Sequence, residues 1–236
     1  MKKIYGYTVW FIVTLFVVYA FCLNTAAAVF SDAIKISLQT SNVGVSIAMG
    51  TFILGFACMQ IPAGYWLDKF NARFVVSAGL FLLAIGNVLI SFSNTFLLYT
   101  LANFIQGAGA SFAFIAAAIL ISQWFSAKQF PVLFGLTQTL SCILAGVIHY
   151  YFTIALAMHS WNELYRVLAL FGFVLLILTI FIVKSPPDRQ RNETVSLKKS
   201  LALVLYFFFF FFFSLAAASS FFVLFSFAVF WYFSLQ

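Results

Sequence analysis

The chain has 236 residues, of which 65% are hydrophobic and only 7% charged, with a formal net charge of +7. A soluble domain carries about 25% charged residues, so a water-facing globule is excluded. Apolar runs of about twenty residues or more fit membrane-spanning helices and not the alternating strands of a barrel.

The first apolar run follows Lys2 and Lys3 and has the look of a signal peptide. It continues too far for one, so it reads as a retained first span. In chain order the spans fall at 7–31, 43–66, 74–92, 95–121, 132–157 and 165–183. A charged linker follows at 184–200, where Pro186 and Pro187 stop the sixth helix. A seventh apolar segment, 201–230, carries an unbroken phenylalanine run at 207–213. The expected organisation is a six-helix bundle over 1–183, the linker, and a Phe-rich segment over 201–236 that reads as aberrant. Cys22, Cys58 and Cys142 all lie inside apolar runs and read as small buried hydrophobes.

Charge gives the orientation. With the N-terminus cytoplasmic, every lysine and arginine except Lys35 and Arg166 falls on the inner side, as the positive-inside rule requires. Asp32 and Glu163 balance those two outer cations, so the net charge reports topology. The cations are scattered over separate loops, which argues against a nucleic-acid partner. The expected setting is a multi-pass protein of a bacterial inner membrane, with the lipid bilayer as its first partner.

Residues 64–73, GYWLDKFNAR, join the second and third spans. Gly64 and Asp68 are four apart and share a helical face, and Gly64 leaves room for a neighbouring helix. Lys69 suits the C-terminal end of span two. Arg73 opens span three, where a cation needs a partner, and Asp68 is the expected one. Asn71 suits a left-handed turn. A solvated turn would account for Lys69 and Arg73 but not for Gly64, Asp68 and Asn71 in that order. The stretch resembles the loop signature of the major facilitator superfamily, Gly-x-x-x-Asp-Arg/Lys-x-Gly-Arg-Arg/Lys. Gly64, Asp68, Lys69 and Arg73 match it, while Asn71 and Ala72 depart from it.

Span four adds LANFIQGAGA, 101–110, which resembles the family's Arg-x-x-Gln-Gly-x-Gly. Gln106, Gly107 and Gly109 match. Asn103 stands at the arginine position, which argues against the proton coupling associated with that arginine. Gly107 and Gly109 also have a plain packing role, since small residues let helices approach. WNELYRVLALFGFVLLILTIFIVKSPPD, 161–188, is similar to the family's sixth helix and its exit. The Gly-x-x-x-Gly-Pro expected of drug–proton antiporters is absent from GLTQTLSCILAGVIHYY, 135–151.

The resemblance implies an all-α membrane fold, the N-terminal six-helix half of a secondary transporter. Helices one, two, four and five would face a central cavity and three and six would lie outside. A small organic solute, an amino acid or short peptide among the options, would bind near the midplane. Polar groups at lipid depth are costly and so mark the candidates. They are Tyr19, Asn24 and Thr25 in span one, Asn103 and Gln106 in span four, and Gln138, Ser141 and His149 in span five. Each could instead bond a neighbouring helix. No Walker loop, catalytic triad, metal spacing or dinucleotide fingerprint occurs, so neither an enzyme, a cofactor nor a metal is expected. The remaining partner would be a missing C-terminal half or a second subunit. The chain reads as a truncated half, and alone it would transport little. The alternatives are a non-transporting remnant and a half-transporter that needs a partner.

Overall fold

The structure is a computed structural model and describes residues 2–184. Its helices are α1 (Lys2–Val29), α2 (Ser31–Ser37), α3 (Asn42–Lys69), α4 (Ala72–Ser91), α5 (Phe96–Trp124), α6 (Phe130–Leu156) and α7 (Trp161–Ile182). All except α2 are long and apolar enough to cross a membrane. They correspond to the six spans expected over 1–183. The expected Phe-rich segment, and the linker beyond Lys184, lie outside the described residues.

The helix starts follow local chemistry. Ser41 caps α3 by accepting from Gly44 N at 3.1 Å, and Thr95 caps α5 by accepting from Leu98 N at 3.3 Å. Ser160 and Glu163 form a reciprocal capping box at the start of α7. Each cap satisfies amide groups that a helix cannot bond internally. The short α2 occupies the connection between the first two spans. It follows α1 after a single residue, and its Asp32 and Lys35 pair at 3.2 Å across one turn. Ile34 on its inner face is fully buried. Gln39, with φ of 48°, then turns the chain back towards α3.

Helix α5 is the hub, packing on α3 and α4 and also meeting α1 and α6. Glycines set the distances. A Cβ on Gly107 would strike the Phe52 carbonyl oxygen of α3, and one on Gly55 would strike the Phe104 carbonyl oxygen of α5. On the α4 side, a Cβ on Gly109 would lie 2.5 Å from Leu83 N. Without a hydrophobic drive between helices in lipid, this close backbone contact is a main source of attraction.

Chain alternation gathers the helix ends at two poles. At one pole Tyr5 donates to Ile182 O, Arg73 Nε to Val183 O at 3.1 Å, and Trp124 Nε1 to Lys184 O at 3.2 Å. At the other pole a separate apolar cluster holds Phe30, Ile34, Tyr99, Trp161 and Tyr165. Burial is uneven. The most apolar windows of α1 and α5 are each 67% buried, those of α3 and α6 only 17% and 22%. One broad side of α3 and α6 is therefore left uncovered by the described residues.

The glycine geometry makes a contrast that can be measured. Gly107→Val should cost about 1–3 kcal/mol or more through overpacking. Gly64→Ala, whose added carbon would meet only Ile115 Cγ2 at 4.0 Å, should stay within about 0.5 kcal/mol of the parent. Thermal unfolding in detergent by size-exclusion fluorescence distinguishes them; equal effects would contradict the packing account.

Candidate functional site

The connection between α3 and α4 takes a different form from its sequence reading. Asn71 adopts φ −66°, ψ 128°, and its side chain accepts from Arg73 N at 3.0 Å. It is the N-cap of α4 and not a left-handed turn residue, because a cap oxygen satisfies the first-turn amides directly. Arg73 was expected to pair with Asp68. Its hydrogen bond runs instead to Val183 O at the end of α7, a carbonyl of the kind left without a helical donor. Gly64 was expected to admit a close neighbour; among the described residues an added carbon there would meet Ile115 Cγ2 alone, at 4.0 Å. Lys69 donates to Tyr65 Oη at 3.1 Å, with its ammonium 5.4 Å from that ring's centre. Trp66, Lys69, Phe70, Asn71 and Phe74 border a recess of about 470 Å³ beside this turn.

The membrane-depth polar residues separate into two sets. The first is buried between helices. Gln106 Nε2 of α5 donates to Asn87 Oδ1 of α4 at 2.7 Å. Asn87 Nδ2 donates to Tyr19 Oη of α1 at 2.8 Å and also to Leu83 O at 3.0 Å. Tyr19 Oη donates in turn to Leu168 O of α7 at 2.6 Å. One continuous chain thus joins α5, α4, α1 and α7. Asn103 is buried too and donates to Tyr99 O one turn back on its own helix. Tyr19, Asn103 and Gln106 were singled out as cavity residues, yet all three face the interior of the bundle.

A second buried seam joins α1 to α6. Trp10 Nε1 donates to Thr137 Oγ1 at 3.0 Å, Thr14 shares a hydrogen bond with the same hydroxyl at 3.0 Å, and Ser141 donates to Thr137 O at 2.7 Å. Ser141 is fully buried and its hydroxyl bonds its own helix. Gln138 is half-buried and His149 exposed, both on α6.

The second set faces open space. A groove of about 260 Å³ opens between α1, α3 and α5, bordered by Phe21, Asn24, Phe52, Phe56, Ala110 and Phe114. Phe114 borders it with its ring centre 5.5 Å from that of Phe21 and 5.6 Å from that of Phe56. Asn24 is exposed and supplies the groove's amide; among the described residues no charged side chain borders it. Thr25, next in sequence, is half-buried and does not border it. Spans one, two and four contribute to the groove; span five, expected there as well, does not. Spans three and six, α4 and α7, lie away from it.

Sequence reasoning missed Asn87 and Thr137. Asn87 carried a usable signal, being an amide inside the apolar run FLLAIGNVLI, where an unpaired polar group is costly. Thr137 carried little, since a lone threonine can bond its own helix, as Thr137 also does to Leu133 O. Among the described residues no group of His, Cys, Asp or Glu could hold a metal ion.

Comparisons with known proteins agree with this architecture. The bundle resembles a bacterial homologue of the human lysosomal transporter Spinster, solved inward-facing and unoccupied. The TM-score is 0.68 at 17% identity, over 83% of this chain and 47% of that one. A double tryptophan mutant of XylE gives a TM-score of 0.68 at 15% identity, over 79% of this chain and 47% of that one. By sequence, the chain is 28% identical over 170 residues to the "Probable galactarate/D-glucarate transporter GarP" of Escherichia coli K12, covering 68% of this chain and 38% of that protein. It is 25% identical over 171 residues to the "Multidrug resistance protein MdtL" of Shigella flexneri serotype 5b, covering 70% and 44%. The chain thus spans less than half the length of these curated relatives. The family model described as Major Facilitator Superfamily matches residues 9–236. The chain is a multi-pass integral membrane protein and belongs to the major facilitator superfamily.

Proposed function

We propose that this bundle is one half of a secondary transporter and moves a small organic solute by rocking against a second bundle. The observation that carries this reading is the groove between α1, α3 and α5, an open concave site among the membrane-spanning helices that an exposed amide borders. Two further points support a partner. The bundle accounts for 47% of each solved neighbour. Its least covered helices, α3 and α6, carry Gln60 and His149 at exposed positions, and polar groups at lipid depth call for protein or water beside them. The protein is read as a transporter and not an enzyme.

The groove also narrows the solute. Phenylalanine rings and one amide favour a molecule with a flat apolar body and a single polar handle. An aromatic amino-acid derivative or short peptide fits; a sugar dicarboxylate, which would need cations, does not. GarP's printed substrates are therefore a poor guide here. Equilibrium dialysis of the full chain in nanodiscs should show saturable binding of N-acetyltryptophanamide and none of D-glucarate. Asn24→Leu should weaken that binding about fivefold, the equivalent of roughly 1 kcal/mol for one hydrogen bond. Uptake into proteoliposomes then separates the readings. Binding with saturable uptake establishes transport; binding without uptake identifies a half that needs its partner. Neither would leave a non-transporting remnant, and the proposal would fall.

For orientation, we propose that the pole bearing Lys69, Arg73 and Lys128 is cytoplasmic, because it gathers the inner cations assigned by the positive-inside rule. The membrane is that of a bacterium, in keeping with the bacterial relatives. An impermeant amine reagent added to intact cells should modify Lys35 and spare Lys69 and Lys128. The opposite labelling would reverse the topology.

A further inference from the structure

Burial grades the residues that border the groove between α1, α3 and α5. Ala20 and Ala110 border it yet are only 4% and 1% exposed. Its phenylalanines are half-buried, and Asn24 and Ile53 are exposed. The two alanines are therefore its floor, the rings its walls, and Asn24 part of its rim. Helix periodicity orders these positions. Residues four apart share a face, so α1 presents Ala20 with Asn24 and α5 presents Ala110 with Phe114. The two helices run antiparallel: Tyr5 meets Trp124 at one pole, and Phe30 and Tyr99 share the apolar cluster at the other. Phe21 and Phe114 are in contact, with ring centres 5.5 Å apart. One turn on from Phe21 along α1 is Asn24, and one turn back from Phe114 along α5 is Ala110. Both steps lead towards the same pole, so Ala110 lies at the level of Asn24, beyond those two rings.

We propose that Ala110 is the specificity-determining residue of this groove and limits the ligand's polar end to a group about the size of acetyl, so that a single aromatic amino-acid derivative enters and a longer peptide does not. This rests on the reading of the groove as the solute site. Size supports it. A cavity of about 150 Å³ holds one benzene, so the groove's volume of about 260 Å³ takes one ring system and leaves about 110 Å³. That is the room of three or four waters at about 30 Å³ each, enough for one amide or acetyl group and too little for a second residue. Phe21, Phe56 and Phe114 take the flat body and the Asn24 amide takes the handle. The remaining volume then falls beside Asn24, where Ala110 offers a methyl group and nothing more. A larger side chain there would occupy that volume, and loss of the methyl would enlarge it.

Equilibrium dialysis of the full chain in nanodiscs against N-acetyltryptophanamide and its N-pivaloyl counterpart reads this as a ratio of affinities. The parent should prefer the acetyl compound by about tenfold or more, the discrimination that methyl-sized differences give in an apolar pocket. Ala110→Gly should reduce that preference several-fold. Ala110→Val should act in the opposite sense, so that N-formyltryptophanamide outbinds the acetyl compound. Ala110→Gly only removes atoms, so the comparison survives if the valine variant does not fold. Ala117→Gly is the matched control. Ala117 is fully buried two turns further along α5 and does not border the groove, so the same methyl is lost from the same helix and the preference should keep the parent's value. A preference unchanged by Ala110→Gly, with the acetyl compound still bound, would overturn the proposal and leave the solute site standing. So would an Ala117→Gly shift as large as that of Ala110→Gly. Binding of neither compound by the parent would remove the solute site itself, and this proposal with it.

Discussion

Asn87 sits at the point where α4, α5 and α1 come closest in polar terms. Its Oδ1 receives the Gln106 amide and its Nδ2 reaches the Tyr19 hydroxyl, and the Tyr19 hydroxyl passes the chain on to the α7 backbone. In hydrocarbon no water competes for these groups, so the amide either finds protein partners or is not tolerated. Each such interhelical bond contributes about 0.6 kcal/mol on average. The larger effect is orientational. With its two polar ends engaged, Asn87 holds one α4 face against α5 and α1 and so fixes the rotation of three helices at once.

That rotation is what lets the glycines do their part. A Cβ on Gly86 would lie 2.9 Å from the Gln106 backbone, and one on Gly172 would lie 2.5 Å from Tyr19 Oη. The two flank the chain of hydrogen bonds on the α4 and α7 sides. Tight packing there draws the interior polar groups away from the opposite side of α1 and α5. Asn24, five residues on from Tyr19 along α1, then faces outward with Phe21. The groove is thus what remains on the far side of a bundle in which Asn87 and the Gln106 Nε2 group are already engaged.

Sequence showed the six spans clearly, because runs of apolar residues with polar breaks leave few choices in lipid. Helix starts at Ser41, Asn71, Thr95 and Ser160 were legible in principle from capping residues alone. The direction in which a polar side chain points was not. Asn24 and Gln106 look alike in a list of intramembrane amides, and only packing shows one facing the groove and the other an α4 amide. Asn71 shows the same limit: the residue type suits both a left-handed turn and an N-cap, and the geometry of the neighbouring helix decides. The arginine–aspartate pair expected at Arg73 gave way to a helix-end carbonyl that lies 110 positions away in the chain, which no local pattern could reveal.

The central claim is that Asn87 and Gln106 act as one unit. A double-mutant cycle measured by reversible unfolding in mixed micelles tests it. Asn87→Leu alone should cost about 1–3 kcal/mol, because Gln106 Nε2 is left buried and unpaired. Adding Gln106→Leu should then recover part of that loss, with a coupling of at least about 0.5 kcal/mol. Strictly additive costs, or an Asn87→Leu variant as stable as the parent, would contradict the account.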